Sequence, residues 1–230
     1  MREIFFNSVF FGVLVSIVTY EGGVWLKQKW KLAVFNPLFL SVLSVMALLT
    51  VFEIDYAVYY NGAKYLSYFL TPATICLAVP LYEKIHLLKR YGGAVLGGIS
   101  AGVATSLVSI LACAFVFHFT HEQYVTLLPK SITTAIGMGI SEELGGMVTI
   151  TVAVIIITGV LGNMTAEAVL KLFHIEEPVA KGVAIGSASH AIGTVKAMEI
   201  GEIEGAMSSL SIAVAGLLTV AGACAFASFI

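Results

Sequence analysis

Charge is what this sequence has least of. Asp, Glu, Lys and Arg together make up 11% of its 230 residues, whereas soluble domains carry about 25%. Hydrophobic residues make up 59%, and the mean hydropathy is +0.97. A water-soluble fold of this length would need far more polar surface. The composition and the long uncharged runs therefore predict an all-α, multi-pass protein of the lipid bilayer, with residues 1–230 forming a single transmembrane domain.

Other absences narrow the function. The net charge is −2 and there is no basic block, so we expect no nucleic-acid partner. The three cysteines lie in apolar runs and indicate no disulfide framework. The H-E-x-x-H, G-x-S-x-G and G-x-x-x-x-G-K-[ST] motifs are missing. We therefore expect a protein that is not an enzyme and that needs neither a cofactor nor a metal.

Uncharged runs mark the predicted spans, because a helix needs roughly 20 apolar residues to cross about 30 Å of hydrocarbon. The runs are 4–20, 32–52, 65–82, 91–120, 144–166 and 205–230. Two further apolar stretches, 123–141 and 182–198, are interrupted by glycine, proline or ionisable residues. Broken segments at membrane depth are tolerated only inside protein or beside a water-filled cavity.

The distribution of Lys and Arg predicts the orientation, since these residues collect on the cytoplasmic side. If 123–141 is a re-entrant hairpin, eight of them lie inside and three outside, namely Arg2, Lys64 and Lys130. If 123–141 crosses fully, the ratio falls to six against five. The counts favour the hairpin, with the N-terminus outside and the C-terminus inside. Lys196 is interpreted as intramembrane.

This topology predicts an inverted repeat. The segments at about 32–117 and 144–230 would each contain three spans with an interrupted middle member, and would run in opposite directions. In transporters with such repeats, the binding site lies near the midplane where broken helices meet.

Polar side chains cluster in the broken stretches and form the predicted substrate site. In one stretch Lys130 stands beside hydroxyl residues, and in the other Ser187, His190 and Thr194 share one helical face. The predicted substrate-binding residues are Thr74, Lys130, Ser131, Thr133, Thr134, Ser187, Ser189, His190 and Thr194. Helix N-termini, hydroxyls and a cation suit a carboxylate.

Each of these residues also has a structural interpretation. Lys130 could extend to the outer interface, His190 could be a hydrogen-bonded buried histidine, and the threonines could simply pack helices. Glu142 and Glu143 are interpreted as the rim of the hairpin. The functional interpretation gains weight because ionisable groups, hydroxyls and glycines coincide at helix breaks.

Three segments carry a family resemblance: LTPATICLAVPLY, LLPKSITTAIGMGISEELGG and GSASHAIGTVKAMEIGEIEGAMSSLSIAVAGLLT. With them, nearly the whole chain resembles the LrgB/CidB family of bacterial membrane proteins, and it is similar to the C-terminal half of the plastid glycolate/glycerate transporter. Glu143 departs from the glutamine expected there. The resemblance implies either transport of small monocarboxylates or a holin/antiholin-like role in murein hydrolase control and cell lysis.

Broken helices and buried polar residues favour a transporter of pyruvate- or glycolate-like acids, proton-linked and of the alternating-access type. The alternatives are a holin-like pore or lysis regulator, and an inactive partner subunit. The resemblance also implies the bacterial inner membrane and a small LrgA/CidA-like membrane partner. We expect a homodimer as well, with 4–52 as a candidate interface.

Overall fold

The structure is a computed structural model that describes residues 8, 10–30, 35–76 and 78–230, and this part of the chain is helical without strands. Four helices are long and apolar enough to cross a membrane: Phe10–Trp30, Lys89–Phe117, Val148–Leu172 and Glu202–Ala227. The prediction of an all-α polytopic membrane protein is confirmed. The chain divides into two compact units, Met1–Cys76 and Leu77–Ile230, each considered by itself below.

In the described residues of the first unit there are four α-helices and one 3₁₀ segment. They are α1 (Phe10–Trp30), α2 (Pro37–Val51), α3 (Tyr56–Ala63), the 3₁₀ helix Lys64–Phe69 and α4 (Leu70–Cys76). The side chain of Asn36 caps α2 at the backbone N–H of Phe39, 3.1 Å away, and Pro37 occupies the first helical turn. Helix α1 extends beyond the predicted span 4–20, of which residues 4–7 and 9 lie outside the described part. The extension contains Lys29, whose Nζ lies 5.0 Å from the ring centroid of Trp25, so a charged side chain is accommodated at the helix end.

The second unit contains seven helices in the described residues. They are α5 (Ala78–Glu83), α6 (Ile85–Phe117), α7 (His121–Leu127), α8 (Thr134–Glu143), α9 (Val148–Leu172), α10 (Pro178–Ile200) and α11 (Glu202–Ala227). Helix α6, with 33 residues, is the longest. The "inner end" of this unit is the end where α6 begins, next to Lys84, Lys89 and Arg90. The opposite end, where α6 finishes at Phe117, is the "outer end".

Helices α7 and α8 form the first hairpin, residues 121–143. They contain 7 and 10 residues, which gives lengths of about 11 and 15 Å, too short to cross the bilayer. Between them, Ser131 lies 3.0 Å from Ser106, oxygen to oxygen. Ser106 precedes the outer end of α6 by about 17 Å of helix. The hairpin therefore enters from the outer end and turns back near the middle of α6, as the re-entrant prediction for 123–141 requires.

Helix α10 is a second hairpin, residues 178–200, and its backbone reverses at His190, where φ is 42° and ψ is −142°. A Cβ placed on Gly193 would lie 3.1 Å from the Ile185 side chain and 3.3 Å from the Ile185 carbonyl oxygen. In a straight helix these residues would be about 12 Å apart. The two arms, 178–189 and 191–200, therefore lie antiparallel. The prediction that 182–198 crosses the membrane is wrong, because the chain turns back at His190.

The second hairpin reverses the predicted direction of the last helix. At its start, Glu202 pairs with Lys84 at the inner end, with Nζ and Oε2 3.0 Å apart. At its end, the carbonyl oxygen of Ile230 lies 2.7 Å from Nδ1 of His121 at the outer end. Helices α6 and α11 thus run in the same direction. The prediction that 205–230 runs opposite to 91–117 is wrong, and so is the opposite direction of the last spans in the predicted repeats 32–117 and 144–230. If the 83–90 loop lies inside, as the charges predict, the C-terminus lies outside.

Candidate functional site

A cleft of about 800 Å³ lies between α6, the tip of the first hairpin and the first arm of the second hairpin. Tyr91 and Glu177 lie at its inner end, and Lys130 and Ser131 lie at the other. Beyond Lys130 the first hairpin is apolar and closely packed, with Leu128 and other side chains buried against α6 and α11. The hairpin tip thus closes one end of the cleft near the middle of α6, while Gly98, Thr105 and Ala188 along its length are exposed.

Lys130 is the one cation among the described residues that line this cleft. Its side chain is half-buried, and its Nζ donates to the hydroxyl oxygen of Ser131 at 3.2 Å. No carboxylate in the described part of the chain lies within ion-pair distance of this ammonium group. A half-buried charge without a counter-charge is costly, so Lys130 is ready to bind an anion that enters the cleft.

Ser106 on α6 holds the hairpin tip. Its hydroxyl forms the 3.0 Å bond with Ser131 described above, and Ser131 is 8% exposed. The chain of contacts Lys130–Ser131–Ser106 leaves two ammonium protons without a partner among the described residues. The two serine hydroxyls carry one proton each, and the bond between them uses one of the two. The other hydroxyl proton is therefore also available to a ligand. These three donors match the two oxygens of one carboxylate.

The other hydroxyls in the cleft already donate their protons in hydrogen bonds. Each donates to a carbonyl of its own helix, so each presents acceptor lone pairs to the cleft. These hydroxyls belong to Thr105 (to Ala101, 2.7 Å), Ser109 (to Ser106, 2.8 Å) and Ser187 (to Val183, 2.6 Å). The oxygens can accept hydrogen bonds from a hydroxyl or a water that accompanies the anion.

Small residues form the remaining walls. Gly98, Gly102, Ala94, Ala184 and Ala188 line the cleft. A Cβ on Gly102 would lie 3.0 Å from the Ser187 hydroxyl oxygen, and one on Gly98 would lie 3.2 Å from a Val183 methyl carbon. Glycine at these two positions therefore lets the second hairpin approach α6 closely.

His190 lies at the tip of the second hairpin and faces α9. It is 2% exposed, and its Nε2 lies 3.0 Å from the carbonyl oxygen of Ile155. Because a carbonyl oxygen only accepts, Nε2 carries the proton and donates it. The neighbouring Ser189 packs against Gly162 of α9. Neither residue is part of the cleft lining.

The remaining predicted site residues are dispersed. The Thr194 hydroxyl oxygen lies 2.7 Å from that of Ser208 on α11 and is fully buried. Thr133 and Thr134 are half-buried at the start of α8 and do not line the cleft. Thr74 is in α4, but its side chain is outside the described part of the structure. Of the nine predicted residues, the cleft brings together Lys130, Ser131 and Ser187.

Lys196, which sequence analysis places within the membrane, differs from Lys130 because its charge is compensated. Its Nζ lies 2.5 Å from a carboxylate oxygen of Glu167 and 3.2 Å from one of Glu199. Glu167 is in the last turns of α9, near the inner end. The pair with Glu167 ties the second arm of the second hairpin to α9.

Sequence reasoning missed the contribution of α6, namely Thr105, Ser106 and Ser109. The available signal was three hydroxyls within five residues near the middle of an otherwise apolar span. Among the described residues, His, Cys, Asp and Glu do not form a group of three that could hold a metal ion. The polar groups of the cleft are one ammonium group, several hydroxyls and the carboxylate of Glu177.

Comparison with known families gives one match. Residues 16–229 match the sequence model of a family described as the LrgB-like family, which covers nearly the whole chain. No solved structure matches the chain. The matched range contains both hairpins and every residue that lines the cleft.

Proposed function

The chain belongs to the LrgB-like family, and from this premise we propose that it transports small monocarboxylates such as pyruvate or glycolate across the bacterial inner membrane. The observation that carries the proposal is the unpaired ammonium group of Lys130 at the closed end of the cleft. Four apolar helices of sufficient length support a membrane location.

Electrostatics favours an anion with a single negative charge. The described cleft lining offers one positive charge, Lys130, and carries one negative charge, Glu177, near the inner end. A monocarboxylate neutralises the ammonium group, whereas the second charge of a dicarboxylate would find no counter-charge there. The donors at Lys130, Ser131 and Ser106 suit one carboxylate, and Ser187 offers an acceptor to a hydroxyl on the substrate.

The two hairpins support an alternating-access mechanism. The first enters the second unit from the outer end and the second from the inner end, and both contact α6 near its middle, at Ser106 and Gly102. Broken elements that meet at a midplane site are typical of secondary transporters. We propose that a proton accompanies the substrate.

The test is uptake by liposomes that contain the purified protein. Labelled pyruvate, glycolate and lactate are offered with and without a proton gradient, and with and without the small LrgA-like membrane partner. We expect saturable uptake that unlabelled substrate competes, faster with the gradient. Unsaturable leakage of unrelated solutes of similar size, with no competition, would instead support the holin-like alternative.

A further inference from the structure

His190 occupies a close-fitting position on α9. Its Nε2–H donates to the Ile155 carbonyl at 3.0 Å, and its ring fits beside Gly159, where a Cβ would lie 2.7 Å from Cε1 and 2.8 Å from Nε2. Its positive φ of 42° is uncommon for a residue with a side chain. A second bond from α9 follows at once, since the side-chain amide of Asn163 donates to the Ile192 carbonyl at 2.8 Å. The tip of the second hairpin is therefore anchored to α9 at the turn and two residues after it.

The anchored turn is continuous with the cleft wall. Ser187 and Ala188 lie three and two residues before His190, and both line the cleft. Ser187 is 6% exposed and contacts α6 at Gly102. The body of the first arm packs on α11 at Gly186, and the contact of the tip with α9 holds the end of the arm that carries Ser187 and Ala188.

Ile155 also contacts the first hairpin. A Cβ added to Gly137 of α8 would overlap the Ile155 side chain, so the helix that follows the turn with Lys130 and Ser131 packs on the same residue. The Ile155 carbonyl thus holds the second hairpin, while its side chain supports the first. The two hairpins that form walls of the cleft therefore contact the same residue of α9, Ile155.

We propose that His190 is a positioning residue of the cleft. It does not contact the substrate; it fixes the tip of the second hairpin at Ile155 and so places Ser187 and Ala188 opposite Lys130. The part of this inference that concerns substrate affinity rests on the proposed function, whereas the placement of the hairpin does not.

The experiment measures the reactivity of one cysteine in the cleft wall. Cys76, Cys113 and Cys224, all exposed, are replaced by alanine, and Ala188→Cys is introduced. The rate of maleimide labelling is measured in liposomes without substrate, in this parent and in the His190→Ala, His190→Gln and His174→Ala variants. Glutamine places an N–H donor as far from its Cβ as Nε2 is in histidine. His174 is the matched control, an exposed histidine that also has positive φ.

We expect His190→Ala to change the labelling rate about fivefold, the shift that corresponds to about 1 kcal/mol for one lost hydrogen bond. His190→Gln should return the rate to within about twofold of the parent, and His174→Ala should leave it unchanged. Gly159→Ala serves as a second variant in case His190→Ala does not fold. It displaces the ring without altering the hairpin sequence, and we expect a similar change. Unchanged labelling in every folded variant of His190 and Gly159 would overturn the proposal.

Pyruvate uptake by the same proteins separates the two claims. We expect KM to rise in His190→Ala and Gly159→Ala and to recover in His190→Gln. If the parent moves no pyruvate, the proposed function fails, and the labelling rates still decide the positioning role. If the parent moves pyruvate and KM is the same in all folded variants, His190 does not position the cleft.

Discussion

Replacing Lys130 removes the positive charge at the closed end of the cleft. Methionine is the replacement of choice because it changes the side-chain volume little. Lys130→Met keeps an unbranched side chain in the half-buried position next to Ser131. Lys130→Arg keeps the charge but changes its shape and reach. Lys89→Met is the matched control, because Lys89 is an exposed lysine on the same unit that does not line the cleft.

The magnitude follows from the contacts of the ammonium group. A hydrogen bond to a charged partner contributes about 1.5–3 kcal/mol, which corresponds to about 10- to 150-fold in affinity. We expect Lys130→Met to raise the KM for pyruvate by at least about tenfold and Lys130→Arg to have a smaller effect. Lys89→Met should transport normally.

Stability should change in the opposite sense from activity. Because Lys130 has no ion-pair partner among the described residues, an apolar replacement relieves the cost of a half-buried charge. Thermal unfolding of Lys130→Met should therefore occur at the same temperature as the parent or higher. Normal uptake by Lys130→Met would refute the reasoning, as would uptake and stability lost together, which would indicate a purely structural lysine.

Four further predictions concern the cleft wall, the topology and the assembly. Ser106→Ala should raise the KM for pyruvate about fivefold, since one neutral hydrogen bond to the hairpin tip is lost; unchanged kinetics would count against the role of this serine. Gly98→Ala should slow transport because its Cβ meets Val183 at 3.2 Å, whereas Gly97→Ala, with open space around it, should not; equal effects in uptake assays would disprove the close-packing argument. A tag after residue 230 should be accessible only from the outer side of cells, and protection there from an added protease would contradict the direction of α11. Native mass measurements and crosslinking should show a homodimer with 4–52 at the interface, and a strictly monomeric active protein would exclude it.

The first hairpin was predictable from sequence because its signals are local. Pro129, Lys130, Gly137 and Gly139 interrupt an apolar stretch, and the Lys and Arg count distinguished a hairpin from a crossing. Both signals come from the types of residue within the apolar stretch and beside it, which a hydropathy analysis detects well.

The second hairpin was predicted as a broken crossing helix, and the reversal itself was missed. Both arms are apolar and helical, so hydropathy is the same whether the chain continues or turns back at His190. The count of Lys and Arg did not distinguish the two paths either, because 205–230 contains no Lys or Arg. A usable signal was the spacing of small residues. Gly182 and Gly186 before the turn pack on α11, and Gly193 and Ala197 after the turn pack against Ile185 of the first arm.

The candidate site was predictable only where it coincided with a helix break. Lys130, Ser131 and Ser187 were named from sequence and line the cleft. Thr194 and His190 were assigned to the same face as Ser187 by helical periodicity, which fails when the helix reverses between them. Ser106 lies on an unbroken helix, so no interruption of the helix indicated that its hydroxyl belongs to the site.

The central claim is that a monocarboxylate binds at Lys130, and equilibrium binding of labelled pyruvate to the purified protein tests it most directly. Binding is measured to the parent, Lys130→Met and Lys89→Met proteins in detergent, with unlabelled pyruvate and a dicarboxylate as competitors. We expect saturable binding to the parent and to Lys89→Met, at least about tenfold weaker binding to Lys130→Met, and weak competition by the dicarboxylate. Equal affinity in the parent and Lys130→Met proteins, or no saturable binding to the parent at all, would contradict it.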